Sequence, residues 1–307
     1  MVVMQIHNWH RGGGGSEYVV TQMNRILRER GHQVVFLTRD SRVLARGLKG
    51  RVRAFVEGIY SRSGRRLVSS MIRRHKPDII HIHEIYPFFS ISALAEAKRS
   101  GIPVVMTCHD YRLTCPVATH LSRGRLCERC KGGREHYCVL KNCRGDILES
   151  LAFAIRSALA RKSGLLENGI SQFIVLTEFA RKLFSSGGFA QEKLFILPNS
   201  LDAARPPSDS TQGRYGLFVG RICPEKGIDT LVRAARQVPT LPLYVSGDGP
   251  LFQRVKKFAP SNVRFLGHLN GPELTKYYEG ARFLALPSEY YEGFPIVALE
   301  AMSYGLP

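Results

Sequence analysis

The 307-residue sequence has no apolar run of the roughly 18 residues that a membrane-spanning helix requires. Its most apolar helical stretch, residues 147–159, is interrupted by Glu149 and Arg156. The start of the chain has only a short apolar stretch and no charged leader before it, which is not typical of a signal peptide. Hydrophobic residues make up 44% and charged residues 22%, as in globular proteins. We therefore expect a cytoplasmic protein of two domains.

Acidic residues are scarce, with 25 Asp and Glu against 44 Lys and Arg, for a net charge of +19. Most of the excess lies in residues 1–199, which hold 32 basic and 15 acidic side chains. Residues 42–76 alone hold 11 basic side chains and one acidic side chain, Glu57. Such a surface attracts phosphate-bearing partners. Anionic lipid, a lipid diphosphate and nucleic acid all qualify, and a solvated basic face without a partner is the alternative.

Short β-branched runs alternate with helical patterns along most of the chain, which predicts an α/β fold with parallel sheets. The predicted strands are residues 2–6, 34–37, 78–82, 103–106, 173–176, 194–197, 217–219, 243–245, 263–266 and 283–286. A linker rich in Pro, Ser and Asp separates the first six from the last four.

We therefore predict two Rossmann-like, doubly wound domains facing one another across a cleft. Residues 1–199 form the first domain, with a cysteine-rich insertion at residues 112–145, and residues 200–307 form the second. Four strands are fewer than a complete doubly wound sheet usually has, so we expect the second domain to be incomplete and the chain to be truncated at its C-terminus.

Four consecutive glycines, residues 12–15, lie between the first strand and the first helix. Without β-carbons there, backbone can approach a ligand closely at the positive end of the helix dipole. The run lacks the GxGxxG spacing, and the best candidate for the acidic residue of a dinucleotide fingerprint is Asp40. Such a fingerprint is therefore poorly supported. A turn without a ligand is the alternative.

In the second domain, Arg221 and Lys226 bracket a predicted helix start, where a diphosphate would meet two cations and free N–H groups. Further along, Glu292 and Glu300 flank a Gly-Phe-Pro segment, at a spacing that suits hydrogen bonds to two parts of a sugar-bearing ligand. By themselves, two glutamates are more typical of surface charges than of a ligand site.

The sequence resembles glycosyltransferase family 4, the retaining nucleotide-sugar transferases with the two-domain GT-B fold. The segments that carry the resemblance are, in order, GGSEYVVTQMNRILRERGHQVVFLT, PDIIHIHE, TCHDYR, FILPNSLD, FVGRICPEKGID, VSGDGP, VRFLGHL and SEYYEGFPIVALEAMSYGLP. Together they extend over essentially the whole chain.

The resemblance implies that Glu300 holds the donor ribose and that Glu292 holds the donor sugar. The backbone of Phe294, Pro295 and Ile296 would assist Glu292.

It also implies that Arg221 and Lys226 neutralise the diphosphate and that Gly14 and Gly15 line the donor. His109 would contact the transferred sugar, unless it is a buried structural histidine.

The sequence contains no AspxAsp pair to hold a divalent metal. Arg221, Lys226 and a helix dipole could stabilise the leaving diphosphate instead, so we expect transfer to need no metal. The resemblance implies retention of configuration through an oxocarbenium-like transition state, for which no nucleophile is apparent in the sequence.

Six of the seven cysteines lie between residues 108 and 143. We predict that Cys127, Cys130, Cys138 and Cys143 bind a structural zinc ion, because thiolate ligation is favoured over disulfides in a reducing cytoplasm. Three further residues could replace a member of this set: Cys115, His120 and His136. Free or redox-active thiols, and disulfides, are the alternatives.

Cys108 and Cys223 are predicted to be small core residues. Because the cysteine-rich insertion follows His109, we interpret it as a lid beside the acceptor.

The leading hypothesis is a retaining glycosyltransferase that moves a sugar from a nucleotide diphosphate sugar to a glycan or a lipid diphosphate-linked acceptor. The one-sided charge favours an anionic membrane surface as a partner, at the inner membrane face. One alternative is a truncated, inactive donor-binding protein. The other, a zinc-containing nucleic-acid-binding protein, is disfavoured because no array of interleaved aromatic residues appears, and no nucleic-acid partner is expected.

Overall fold

The computed structural model describes residues 1–9, 14–41, 47–201 and 212–307. Two compact units are present. The N-terminal unit comprises residues 1–120 and 128–199, and the C-terminal unit comprises residues 121–127 and 200–307. Gly12, Gly13 and most of the predicted linker lie outside the described residues. No helix in the described part of the chain is long and apolar enough to cross a membrane.

The N-terminal unit is built on a six-stranded parallel sheet with the order β2-β1-β3-β4-β7-β8. The chain up to residue 199 contains these elements: β1 (Val2–Trp9), α1 (Gly15–Glu29), β2 (Gln33–Asp40), α2 (Leu48–Ile59), α3 (Arg62–His75), β3 (Ile79–Ile82), α4 (Ser90–Arg99), β4 (Val104–Cys108), β5 (Leu121–Ser122), β6 (Arg125–Leu126), α5 (His136–Leu140), α6 (Ile147–Lys162), α7 (Leu165–Asn168), β7 (Gln172–Val175), α8 (Glu178–Ser186) and β8 (Leu194–Ile196).

The central strands of this sheet are covered on both faces, as expected for parallel strands. Met4 and Ile6 of β1 and Ile80 and Ile82 of β3 are fully buried. β1 continues three residues beyond its predicted end at residue 6, with His7 and Asn8 also buried. The backbone N–H of Asn8 donates a hydrogen bond to the Glu84 carbonyl, in the segment that follows β3, at 3.1 Å.

The C-terminal unit contains a four-stranded parallel sheet with the order β11-β10-β9-β12. Its elements are β9 (Tyr215–Val219), α9 (Ile228–Gln237), β10 (Leu243–Ser246), α10 (Phe252–Phe258), β11 (Val263–Gly267), α11 (Gly271–Glu279), β12 (Ala281–Leu284) and α12 (Ile296–Ser303). Phe218, Ile222, Ile228 and Val245 are at most 1% exposed and form the core of one face. The α/β class with two parallel sheets, and the four strands of the second, are confirmed.

Candidate functional site

Three loops of the C-terminal unit meet at the carboxyl ends of β9, β10 and β12, where ligands bind in open parallel sheets. They comprise residues 220–227, 247–251 and 285–295. The Ile222 N–H donates to the Asp248 carbonyl at 2.9 Å, which joins the first loop to the second. The Glu289 N–H donates to the Glu225 carbonyl at 2.9 Å, which joins the first loop to the third. We call these three segments the donor loops, because the resemblance implies that their residues bind the donor.

Glycine is required where the donor loops cross. Gly227 has a left-handed backbone with φ of 67°, and a Cβ there would lie 1.9 Å from the Pro287 carbonyl oxygen. A Cβ on Gly247 would lie equally close, at 1.9 Å, to the Gly220 carbonyl oxygen. Since real β-carbons do not approach oxygen so closely, only glycine permits this packing.

Lys226 and Glu292, both predicted to bind the donor, form an ion pair with Nζ and Oε1 2.6 Å apart. Ser288 donates its hydroxyl to the same carboxylate oxygen at 2.5 Å, and Tyr290 donates to Oε2 at 2.8 Å. The Lys226 ammonium also lies 5.2 Å from the centre of the Tyr290 ring. Burial, followed by the charge of Glu292, raises the pKa of Tyr290, so its hydroxyl remains a proton donor. Glu292 is thus held in one orientation.

Arg221 has a carboxylate partner of its own, Glu225, at 2.8 Å. Its side chain is 68% exposed, whereas Lys226 is 20% exposed. Lys226 is the last residue of a 3₁₀ turn, Pro224–Lys226, and helix α9 begins two residues later at Ile228. Both predicted phosphate ligands are therefore paired with glutamates, a feature that the sequence pattern did not reveal.

Glu300 is the fifth residue of α12. This helix begins at Ile296, directly after Phe294 and Pro295. The Tyr278 hydroxyl donates to Glu300 Oε2 at 2.8 Å. Tyr278 is buried and stacks on Tyr304, with ring centres 5.1 Å apart. The predicted donor residues 292, 294, 295, 296 and 300 therefore belong to one loop and the helix that follows it.

In the N-terminal unit, His109 belongs to a cluster of histidines at the carboxyl ends of β3 and β4. His83 Nδ1 and His109 Nε2 are 3.1 Å apart, and their rings are stacked. The rings of His81 and His83 are 4.1 Å apart. His81 Nε2 lies 2.8 Å from the Thr107 hydroxyl. The sequence singled out only His109; His81 and His83 were detectable as the HIH segment that ends β3.

Burial lowers the pKa of every histidine in this cluster. It lowers the pKa of His81 to about 4, with the nearby His109 as a second cause. The pKa of His83 falls well below 6.5, because of burial and then the proximity of His81 and His109. For His109 burial also dominates, although the charges of Glu84 and Asp110 oppose it. The cluster is therefore uncharged at neutral pH.

Fixed charges surround a cavity of about 60 Å³ beside His83 and His109. Arg112 is paired with Glu84 at 2.8 Å and with Asp110. Burial opposes ionisation of Arg112, but the charges of Asp110 and Glu84 raise its pKa overall.

Arg156 also lines this cavity. Its guanidinium lies 4.3 Å from the centres of both the Tyr86 and Phe153 rings. One nitrogen donates to the Pro116 carbonyl at 3.3 Å. Burial lowers the pKa of Arg156 to about 10. The cavity is therefore lined by groups of both charges rather than by one sign.

Of the predicted glycines, Gly14 and Gly15 are described, and they form the start of α1. Gly14 is the N-cap residue with an extended backbone, and the helix begins at Gly15. Glu17 in the first turn is buried, and its charge acts on His109. The start of α1 is thus near the histidine cluster, within the same unit.

The predicted zinc ligands do not form a metal site in the part of the chain that the structure describes, where no group of three or more His, Cys, Asp or Glu residues is arranged to hold a metal ion. Cys130, Cys138 and Cys143 belong to the N-terminal unit, while Cys127 belongs to the C-terminal unit. The Cys138 and Cys143 side chains are in hydrogen-bonding contact. The geometry therefore gives no support to zinc, which stays a prediction.

Two other cysteine predictions are confirmed, since Cys108 and Cys223 are buried in the units to which they belong.

The fold, with its loops at the carboxyl edge of the second sheet, defines the class of this chain as a doubly wound α/β protein with two parallel sheets. The sequence profile described as Glycosyltransferase Family 4 matches residues 13–205. The profile described as Glycosyl transferases group 1 matches residues 203–307. The chain belongs to glycosyltransferase family 4.

Curated relatives include a glycogen synthase of Mycobacterium tuberculosis. It is 30% identical over 248 residues, which are 76% of this chain and 52% of the relative. A sulfoquinovosyl transferase of Arabidopsis thaliana is 27% identical over 306 residues, 92% of this chain and 54% of the relative. The chain thus spans about half the length of these curated relatives.

Among solved structures, Anabaena HepE in complex with UDP-glucose shares the fold. Its TM-score is 0.60 at 16% identity, over 100% of this chain and 79% of HepE. The apo form of the lipopolysaccharide outer core galactosyltransferase WaaB has a TM-score of 0.59 at 18% identity, over 100% of this chain and 79% of WaaB. These likenesses identify the GT-B glycosyltransferase fold.

Proposed function

We propose that this protein transfers a sugar, with retention of configuration, from a nucleotide diphosphate sugar to a glycan or lipid-linked acceptor. The observation that carries the proposal is the ion pair of Lys226 and Glu292 among the loops at the carboxyl edge of the second sheet, with Glu300 on the helix that follows the Glu292 loop. A cation for the diphosphate and two carboxylates for sugar hydroxyls are the groups that such a donor requires. Family membership supports the same activity.

In the proposed reaction, Lys226 and Arg221 stabilise the negative charge that develops on the nucleoside diphosphate as the bond to the sugar breaks. Their present partners, Glu292 and Glu225, would exchange part of this pairing for donor contacts. Glu292 would then accept hydrogen bonds from the donor sugar, and Glu300 would accept them from the ribose. The proposed transfer needs no metal ion.

On the N-terminal side, His109 would contact the transferred sugar as a neutral imidazole. Its lowered pKa supports this form at neutral pH. A neutral ring can donate or accept a hydrogen bond without placing a second positive charge beside a cationic, oxocarbenium-like sugar. Gly14 and Gly15, at the start of α1, would line the donor on this side.

UDP sugars are the first donors to test, because HepE, which shares the fold, was solved with UDP-glucose. For the acceptor, the net charge of +19 supports a lipid diphosphate at an anionic surface. The protein would then act in the cytoplasm, peripherally at the inner membrane face.

The decisive experiment incubates the purified chain with a panel of nucleotide sugars, with and without EDTA, and measures donor hydrolysis and thermal stabilisation together. The proposal expects both responses to the same donor and no effect of EDTA. Stabilisation without turnover would favour the alternative of an inactive donor-binding protein. The absence of both responses with every donor would overturn the proposal. Elemental analysis of protein purified without chelator tests the zinc prediction at Cys127, Cys130, Cys138 and Cys143 separately.

A further inference from the structure

His83, directly after β3, is the most enclosed member of the histidine cluster, with 4% of its surface exposed. The ring centres of His81 and His109 lie 4.1 Å and 5.4 Å from its own. The His7 ring meets it edge-on, with the two ring centres 6.3 Å apart. In the proposed reaction His109 contacts the transferred sugar, whereas His83 is too deeply buried to do so.

The segments that carry His83 and His109 are fixed relative to each other. The backbone N–H of His83 donates to the Ile6 carbonyl at 3.0 Å, which holds the residue against β1. The next residue, Glu84, forms an ion pair at 2.8 Å with Arg112, three residues after His109. An ion pair therefore joins the two segments and keeps the two rings together.

His83 Nδ1 and His109 Nε2 lie 3.1 Å apart, which is a hydrogen-bond distance. A neutral imidazole has one N–H donor and one acceptor nitrogen, so one of these two rings donates to the other. The second nitrogen of His83, Nε2, is buried and has no hydrogen-bond partner among the described residues. This unpartnered nitrogen distinguishes the two possible arrangements.

A proton on His83 Nε2 would leave an N–H donor buried without an acceptor. Buried N–H groups without a partner are rare, and acceptors without one are less so. The favoured arrangement therefore places the proton of His83 on Nδ1, from which it donates to His109 Nε2.

We propose that His83 is a positioning residue that fixes the protonation of His109. Since Nε2 of His109 accepts this hydrogen bond, the proton of its neutral ring lies on Nδ1. His109 is half-buried, and no group of the described residues forms a hydrogen bond with its Nδ1. This N–H can therefore donate to an oxygen of the transferred sugar.

The opposite arrangement would give His109 a different chemical role. With its proton on Nε2, His109 would donate to His83 and present the lone pair of Nδ1 to the substrate, as a general base does. The inference rests on the proposed function and deepens it, because it makes His109 a hydrogen-bond donor to the sugar rather than a base.

The test is 15N NMR of the full chain labelled at its ten histidines, because protonated and unprotonated ring nitrogens give separate signals. The signals of His109 are identified by their loss in the variant His109→Gln. In the wild-type protein at neutral pH, we expect the His109 proton on Nδ1. A proton on Nε2 would overturn the inference without any need for the His83 variants to fold.

A matched pair of substitutions, His83→Leu and His83→Asn, then tests the positioning role. The two side chains have similar branched shapes, but only Asn can donate from near the position of Nδ1. We expect His83→Leu to move the His109 proton at least in part to Nε2. It should also slow transfer by about tenfold or more, with the donor dissociation constant within about threefold of the wild type.

The variant His83→Asn should keep the His109 proton on Nδ1 and transfer at a rate within about threefold of the wild type. Equally slow transfer in both variants, with the proton still on Nδ1, would overturn the inference.

His81→Leu controls for the loss of a buried histidine. His81 lies two residues earlier, on β3, is also buried, and loses in this variant the 2.8 Å contact of Nε2 with the Thr107 hydroxyl. It should lower the free energy of unfolding much as His83→Leu does, but leave the His109 proton on Nδ1. A shift of the proton as large as in His83→Leu would assign its position to the packing of the cluster and overturn the role of His83.

The NMR measurement needs no donor, so it is independent of the proposed function. If the His109 proton lies on Nδ1 and moves in His83→Leu, but no nucleotide sugar is bound or turned over, the proposed function fails and the role of His83 stands. If transfer is observed but the His109 proton lies on Nε2, the proposed function stands and the inference fails.

Discussion

The histidine cluster of the N-terminal unit and the donor loops of the C-terminal unit each lie at the carboxyl edge of a parallel sheet. They differ in charge, since the first is uncharged and the second contains an ion pair. His81, His83 and His109 are desolvated and uncharged, and burial is the main cause. In the donor loops, Lys226 and Glu292 are charged, partly exposed and paired with each other.

In the proposed reaction, this difference would let one chain accommodate the opposite charges that develop on the diphosphate and on the sugar. A developing diphosphate needs cations that are already in place, whereas a developing sugar cation is better approached by neutral polar groups. The contrast predicts that substitutions in the histidine cluster change the transfer rate and the pH dependence of stability. Substitutions in the donor loops should change donor affinity.

The substitution His109→Ala is expected to separate the two regions most strongly. Loss of a hydrogen bond that acts on the transferred sugar should slow transfer by about 10²–10³-fold, while the donor dissociation constant stays within about threefold of the wild type. Steady-state kinetics together with donor titration measure both quantities. His75→Ala, at the end of α3, is the control and should change neither. A loss of affinity with an unchanged rate would reverse the assignment.

Acidification should destabilise the protein through the histidine cluster before the carboxylates contribute. Unfolded histidines take up protons below about pH 6.5, while folded His81 does so only near pH 4. Since the unfolded state binds more protons between these values, the free energy of unfolding falls as the pH is lowered. For His81 alone the loss is on the order of 3 kcal/mol across this window.

Glu96 separates the two effects, because hydrogen bonding from Arg99 lowers its pKa to about 2. Its stabilising contribution is lost only below its unfolded value of about 4.5. Urea unfolding at pH 7.0, 6.0 and 5.0 therefore reports on the histidines. A free energy of unfolding that does not change over this range would contradict a buried, neutral cluster.

Lys226→Ala tests the second region, where we expect donor affinity to fall by about 10–100-fold. A hydrogen bond to a charged group contributes about 1.5–3 kcal/mol, and the substitution also leaves Glu292 without its cation. Calorimetric titration with the donor found by the screen measures the change. Lys257→Ala removes a charge from α10 of the same unit and serves as the control. Equal losses in both variants would indicate a general electrostatic effect rather than a phosphate contact.

The smallest effect is expected from Tyr278→Phe, which removes the hydroxyl that donates to Glu300. We expect a loss of about 1.5 kcal/mol in the free energy of unfolding, and only a few-fold weaker donor binding as Glu300 becomes less well oriented. Tyr304→Phe is the matched control, because its hydroxyl contacts Thr275 rather than Glu300. Unchanged donor affinity in both variants would remove Tyr278 from the donor site.

The alternation of apolar runs and helices was sufficient to predict the two parallel sheets, because the central strands, such as β1 and β3, are buried on both faces. It did not predict the end of β1, where His7 and Asn8 are polar yet buried. Their burial depends on the packing of distant segments, as in the hydrogen bond from Asn8 to the Glu84 carbonyl.

The same distinction holds for the candidate site. Lys226, Glu292 and Glu300 were identified through short motifs, but their partners were not. Tyr278 precedes Glu300 by 22 residues, and the Lys226–Glu292 pair joins residues 66 positions apart. Nothing in a local pattern predicts such contacts. The zinc site stays a prediction, since cysteine spacing does not determine where the thiols lie in space.

The close approach of Gly227 to the Pro287 carbonyl has a practical consequence for the donor loops. Adding one methyl group there would force apart the segments that carry Lys226 and Glu292, although Gly227 has no side chain that could contact a substrate. Gly227→Ala would thus separate these loops while leaving all of their chemical groups in the protein. Assembly of the donor loops could in this way be studied apart from their composition.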